Sequence, residues 1–208
     1  MKKTGPSKAD TALLPAFAGL PLEAIHVPAT AEQFAAAAAE IAAAGVVGFD
    51  TESKPTFVTG DVSRGPHVVQ FALSDKAFLF QVHREEGRAV LIELLQSRTL
   101  IKAGFGLKSD SGQTRAKFGV ELGALLDLNE VFRLDGYSGD MGVRAAVGLV
   151  MQQNFPKSKH VTTSNWALRE LGPKQLLYAA NDAYAALKVL QALDRPHADL
   201  PIRGLAVK

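Results

Sequence analysis

Apolar residues recur along this chain in short bursts, and their spacing predicts strands alternating with helices. Val46-Val47-Gly48-Phe49-Asp50 is a brief β-favouring run that reads as a buried central strand. Residues 67–73 and 77–82 flank Ser74-Asp75-Lys76, the pattern of a hairpin. Thr30-Ala31-Glu32-Gln33 reads as a capping box opening an Ala-rich helix that Gly45 ends. A second helix is expected over 84–96, with Val90, Leu91, Leu94 and Leu95 at core spacing. A strand over 99–104, a helix over 107–118 closed by Gly119, and a further strand over 124–131 follow. Residues 139–153 predict a helix that Gly142 and Gly148 weaken, and 155–165 a mobile loop. Pro173 suits the first position of a long helix reaching about Leu193. Residues 1–22 read as a flexible lead-in, leaving 23–208 as one domain. The expectation is an α/β fold: a mixed five- to six-stranded sheet with helices on both faces.

Composition narrows the options. A chain of 208 residues with 47% hydrophobic side chains suffices for one well-buried α/β domain. The absence of cysteine excludes disulfides, thiolate metal sites and a cysteine nucleophile. No apolar run reaches the roughly 18 residues of a membrane span, and the start lacks a signal-peptide core. A cytoplasmic protein without a membrane partner is the expectation; oligomeric state is open. The net charge of +2, from 23 basic and 21 acidic residues, does not by itself declare a nucleic-acid binder. If several acids cluster, however, the remaining surface must be basic. Lys102, Lys108, Arg115, Lys117, Arg144, Lys157, Lys159, Arg169 and Lys174 read equally as solvated surface or phosphate track.

Candidate chemistry lies in three separated places. Asp50 and Glu52 are two apart in an extended segment, so both project from one face, away from Phe49 and Thr51. Asp182 follows Tyr178 by four residues in a helical stretch rich in alanine, which puts phenol and carboxylate one turn apart. Asp110 falls in the first turn of a helix after the glycines of Lys102-Ala103-Gly104-Phe105-Gly106. Alone, each reads as a cap, a salt bridge or a solvated acid. Together they form a repulsive set, worth about 4 kcal/mol per pair at about 4 Å and an effective dielectric of about 20. Divalent cations turn that repulsion into binding, and oxygen-only ligands favour Mg²⁺ or Mn²⁺ over zinc.

Gly48-Phe49-Asp50-Thr51-Glu52, Lys102-Ala103-Gly104-x-Gly106-x-x-x-Asp110 and Tyr178-x-x-x-Asp182 resemble the three motifs of the DEDDy family of 3′-5′ exonucleases, which share an RNase H-like fold. Ser164-Asn165-Trp166 and the run from Gln175 to Tyr184 resemble the Werner-type subgroup most, and RNase D more distantly. The resemblance covers about residues 25 to 195. It implies two divalent ions, Mg²⁺ or Mn²⁺, held by Asp50, Glu52, Asp110 and Asp182, and Tyr178 orienting the attacking water. It also implies a nucleic-acid partner with a free 3′ end and release of nucleoside 5′-monophosphates, with DNA or RNA undecided. Thr51 and Phe105 are candidate contacts to the terminal nucleotide, and Lys157, Lys159 and His160 candidate contacts to phosphates. Trp166 is read as packing, and His26, His67, His83 and His197 suggest no catalytic pattern. The rivals are a catalytically silent nucleic-acid-binding module of the same fold and an RNase H-like endonuclease.

Overall fold

The computed structural model describes residues 2–56 and 63–206. After a one-turn helix, α1 (Lys8–Thr11), the chain enters β1 (Ile25–His26), α2 (Ala31–Ala44) and the long strand β2 (Val46–Glu52). The hairpin β3 (Val68–Ala72) and β4 (Ala77–Gln81) follows, then α3 (Arg88–Gln96), β5 (Ile101–Gly104) and α4 (Lys108–Phe118). Next come β6 (Leu125–Asp127), α5 (Leu128–Leu134), α6 (Gly142–Ala146) running into a π-helical turn (Val147–Met151), α7 (Lys159–Thr162) and α8 (Pro173–Leu193). The six strands form one mixed sheet in the order β1-β4-β3-β2-β5-β6. The pairs β2/β3 and β3/β4 are antiparallel, and β1/β4, β2/β5 and β5/β6 parallel.

The alternation in β2 sorts its side chains between two cores. Val47 and Phe49, with Val69, Phe71 and Phe80 of the hairpin, pack beneath Phe34 and Ile41 of α2 and Leu91 and Leu95 of α3. The opposite face, with Val68, Ala72 and Leu79, is covered by α8 through Ala179, Ala183 and Ala186. Small residues bring α8 close to the sheet. At Gly48 an added Cβ would run into the backbone carbonyl of Ala183, so only glycine permits this approach. Dispersion between closely packed layers then fixes the helix over the strand that carries Asp50 and Glu52.

Several local expectations change. The strand foreseen over 124–131 stops at Asp127, whose carboxylate accepts from Asn129 N at 3.0 Å and caps α5. The loop over 155–165 contains α7 and is pinned by buried Phe155 and Val161. The first twenty-two residues also differ from a loose lead-in. Phe17 N donates to Asn154 O at 2.9 Å, Leu20 N to Asn181 Oδ1 at 2.6 Å, and Phe17 and Leu20 join the α8 core. Their apolar side chains cover a flank of α8 that would otherwise face water.

Lys102 is corrected most sharply. Read as a surface base, it is fully buried, because alternation in β5 turns it beneath α3. Its ammonium donates to the carbonyls of Leu94 (3.1 Å), Ser97 (3.0 Å) and Leu100 (2.9 Å). It thereby closes the carbonyl end of α3, while burial draws its pKa down to about 7.

Candidate functional site

Asp50 and Glu52 end the central strand on the face that α8 covers, and the Gly48 contact brings Asp182 over them. One oxygen from each of Asp50, Glu52 and Asp182 lies within 4.8 Å of the other two. At that separation two ionised carboxylates repel by at least about 3.5 kcal/mol for an effective dielectric of about 20. The site answers with protons and with one cation. Burial, then Asp110 and Asp182, pushes the Asp50 carboxyl well above the usual carboxylate range. Burial and Asp182 push Glu52 to about 8, with Lys157 opposing. Asp182 is raised by burial, with Lys157 and Tyr178 working to keep it ionised.

The four sequence candidates do not form one equal group. Asp110 belongs to α4, on the sheet face opposite α8, and reaches the end of β2 from that side. Thr51, whose side chain alternates away from Asp50, donates from Oγ1 to Asp110 Oδ1 at 2.5 Å. This bond partly offsets the rise that burial imposes on Asp110. Asp110 therefore stands beside the three-carboxylate cluster rather than within it, yet is near enough to raise Asp50. Gly106, in a left-handed conformation (φ 69°), makes the turn that starts α4 there. The backbone N–H groups of Gly106 and Leu107 donate to Asp127 at 3.1 and 3.0 Å, locking the turn.

Tyr178 lies one turn before Asp182 on α8 and packs against Trp166 with ring centroids 5.9 Å apart. Trp166 is buried and its indole N–H donates to Thr162 O at 3.2 Å, so it packs, as expected. Thr162 Oγ1 donates to the Tyr178 hydroxyl at 2.9 Å, tying the phenol to α7. Burial, then Asp182, lifts the phenol above its ordinary pKa, so at neutral pH it retains its proton.

The remaining candidates separate. Phe105 stacks on Phe132 at 6.5 Å and also lines a cavity of 280 Å³ shared with Asp50, Lys157, Asp182 and Asn129. Thr51 N donates to Asp50 Oδ1 at 2.9 Å, so its amide is engaged within the site and not turned outward. Lys157 enters the cluster: its Nζ is 2.9 Å from Asp182 Oδ2. Burial works against this ammonium, but Asp182, Tyr178 and Asp50 outweigh it and raise its pKa. Lys159 and His160 sit exposed on α7, outside the cavity lining, because that short helix turns only Val161 inward.

One residue near the site was given no role by the sequence reading. Gln70, the cross-strand partner of Asp50, is fully buried and neither amide atom has a partner among the described residues. A polar residue amid the apolar run 67–73 was the available signal. Arg144, read from sequence only as one of several surface or phosphate-track bases, helps keep Asp182 ionised, with its Nε donating to Phe155 O at 3.4 Å.

A divalent cation fits this donor set. Every ligand is a carboxylate oxygen, and Asp182 Oδ1 is buried without a hydrogen-bond partner among the described residues, an acceptor that a hard cation would satisfy. The group that a metal would complete is thus Asp50, Glu52 and Asp182, with Asp110 one step outside.

Comparisons with known proteins converge on one family. The family profile described as 3′-5′ exonuclease matches residues 25–196. The chain is 32% identical over 154 residues to the bifunctional 3′-5′ exonuclease/ATP-dependent helicase WRN of Mus musculus, covering 71% of this chain and 11% of that protein. It therefore spans about a tenth of that relative's length. The Nibbler EXO domain of Aedes aegypti superposes with a TM-score of 0.71 at 23% identity, over 84% of this chain and 89% of that one. The RNase D of Trypanosoma brucei, solved with RNA U12, gives 0.73 at 20% identity, over 95% and 68%. These two likenesses show the fold, that of RNase H-like exonuclease domains.

Proposed function

The chain belongs to the 3′-5′ exonuclease family, and on that premise we propose that it removes nucleoside 5′-monophosphates one at a time from the free 3′ end of DNA or RNA. The reading takes residues 23–208 as a single exonuclease domain of DEDDy type using two divalent ions, Mg²⁺ or Mn²⁺. The observation that carries it is the convergence of Asp50, Glu52 and Asp182 with a buried carboxylate oxygen left unpartnered among the described residues. T. brucei RNase D holds an RNA strand; for this chain either nucleic acid suits a site built on phosphate chemistry.

Asp50, Glu52 and Asp182 would hold one cation, and Asp50 with Asp110, directly or through water, a second. Bound there, the ions supply the electrophilic clamp on the scissile phosphate and stabilise charge on the departing 3′ oxygen. Tyr178, which retains its proton at neutral pH in the metal-free protein, would orient the attacking water by hydrogen bonding and help to accept its proton once the ions are bound. Thr51 holds Asp110 at the orientation the site requires. Phe105 forms a cavity wall against which the terminal nucleotide can pack.

The test uses 5′-labelled single-stranded DNA and RNA with free or blocked 3′ ends, a circular strand, and the Asp182→Ala variant. The expected result is Mg²⁺- or Mn²⁺-dependent shortening from free 3′ ends, none on the circle, and none with Asp182→Ala. Cleavage of the circle would establish the endonuclease instead. Binding without products would establish the silent module.

A further inference from the structure

Lys157 occupies an unusual place for a loop lysine. It lies between the π-helical turn and α7, with its side chain one-third exposed, and crosses the mouth of the site to a carboxylate only 4% exposed. Its ammonium is 2.9 Å from Asp182 Oδ2 and 5.7 Å from the centroid of the Tyr178 ring. It lines the same cavity as Asp50 and Asp182. The three clustered carboxylates need positive charge, and among the described residues Asp182 forms its one ion pair with Lys157. A buried carboxylate without a counter-ion is strongly unfavourable. An ammonium is a compact charge on a flexible four-carbon stem, so it can serve Asp182 and still swing away. The loop backbone is pinned by Phe155 and Val161, so the side chain alone swings, leaving the sheet and α8 in place.

We propose that Lys157 is a tethered counter-ion that holds Asp182 through Oδ2 in the metal-free protein and opposes, by its charge, the divalent cation that binds at the neighbouring Oδ1. This rests on the metal-binding reading of the carboxylate set. An ion entering at Oδ1 is repelled by the ammonium held at Oδ2, so affinity is set below what the bare carboxylates would provide, and the lysine side chain swings away as the site loads. Lys157 is accordingly a positioning residue for the ion site.

Calorimetric titration with Mn²⁺ alone, on wild-type protein and on Lys157→Met and Lys157→Arg, tests this. Lys157→Met should bind Mn²⁺ about tenfold more tightly, whereas Lys157→Arg, which keeps the cation, should stay within about threefold of wild type. In EDTA, Lys157→Met should melt at a lower temperature than wild type, and that loss should vanish in an Asp182→Asn background. Unchanged or weaker Mn²⁺ binding by Lys157→Met overturns the proposal, as does the same melting loss with Asp182→Asn. If wild-type protein binds no Mn²⁺, the metal-site reading itself fails and the proposal falls with it.

Discussion

The proton inventory of Glu52 predicts an unusual pH dependence for the metal-free protein. Its carboxyl is raised from 4.5 to about 8, chiefly by burial and then by Asp182. Between those values the folded chain binds a proton that the unfolded chain releases, so stability must fall as pH rises. The contribution is fully retained below about pH 4.5 and lost progressively up to about pH 8. A displacement of that size corresponds to at most roughly 5 kcal/mol, and less for one residue because the carboxylates titrate together. Glu52→Gln keeps the side chain's size and removes the titration. In EDTA it should match wild type within about 1 kcal/mol at pH 5 and exceed it by about 2–3 kcal/mol at pH 8.5. Urea unfolding followed by circular dichroism across this range measures both. The comparison with wild type also cancels Lys102, whose lowered pKa acts in the opposite direction above pH 7. Saturating Mn²⁺ should reverse the order, because it stabilises the protein that keeps all ligands. Parallel pH–stability curves for the two proteins in EDTA would refute the reasoning.

Two further substitutions probe how the site is held. Gly48→Ala should destabilise the fold by about 1–3 kcal/mol and weaken Mn²⁺ binding, because the new methyl forces α8, and Asp182 with it, off the sheet; urea unfolding and Mn²⁺ titration check both effects. Lys102→Met leaves the Leu94, Ser97 and Leu100 carbonyls without their donor, for an expected loss of about 2–4 kcal/mol; equal unfolding midpoints would contradict the capping role.

The parts of this molecule legible in its sequence are those where local geometry alone determines direction. Alternation put Asp50 and Glu52 on one face, a four-residue helical step put Tyr178 beside Asp182, and Pro173 marked the start of α8. The paired strands around Ser74-Asp75-Lys76 formed for the same reason. What could not be read depends on which elements become neighbours. Lys102 looks like any lysine until α3 presents three carbonyls to it. Asp110 looked equivalent to the other acids, but its helix packs on the opposite face and Thr51 claims one of its oxygens. Lys157 was foreseen near phosphates; only the path of its loop shows that it reaches Asp182 first. Lys159 and His160, two and three residues on, follow that loop outward.

Two of the acids that this site gathers ride on helices docked to opposite sides of the sheet whose central strand carries the other two, Asp182 on α8 and Asp110 on α4. The sheet with α8 brings three of them together, but the full set of four needs both helical layers. A nascent or partly unfolded chain has scattered acids, so the activity proposed above would switch on only when both layers have closed around the strands.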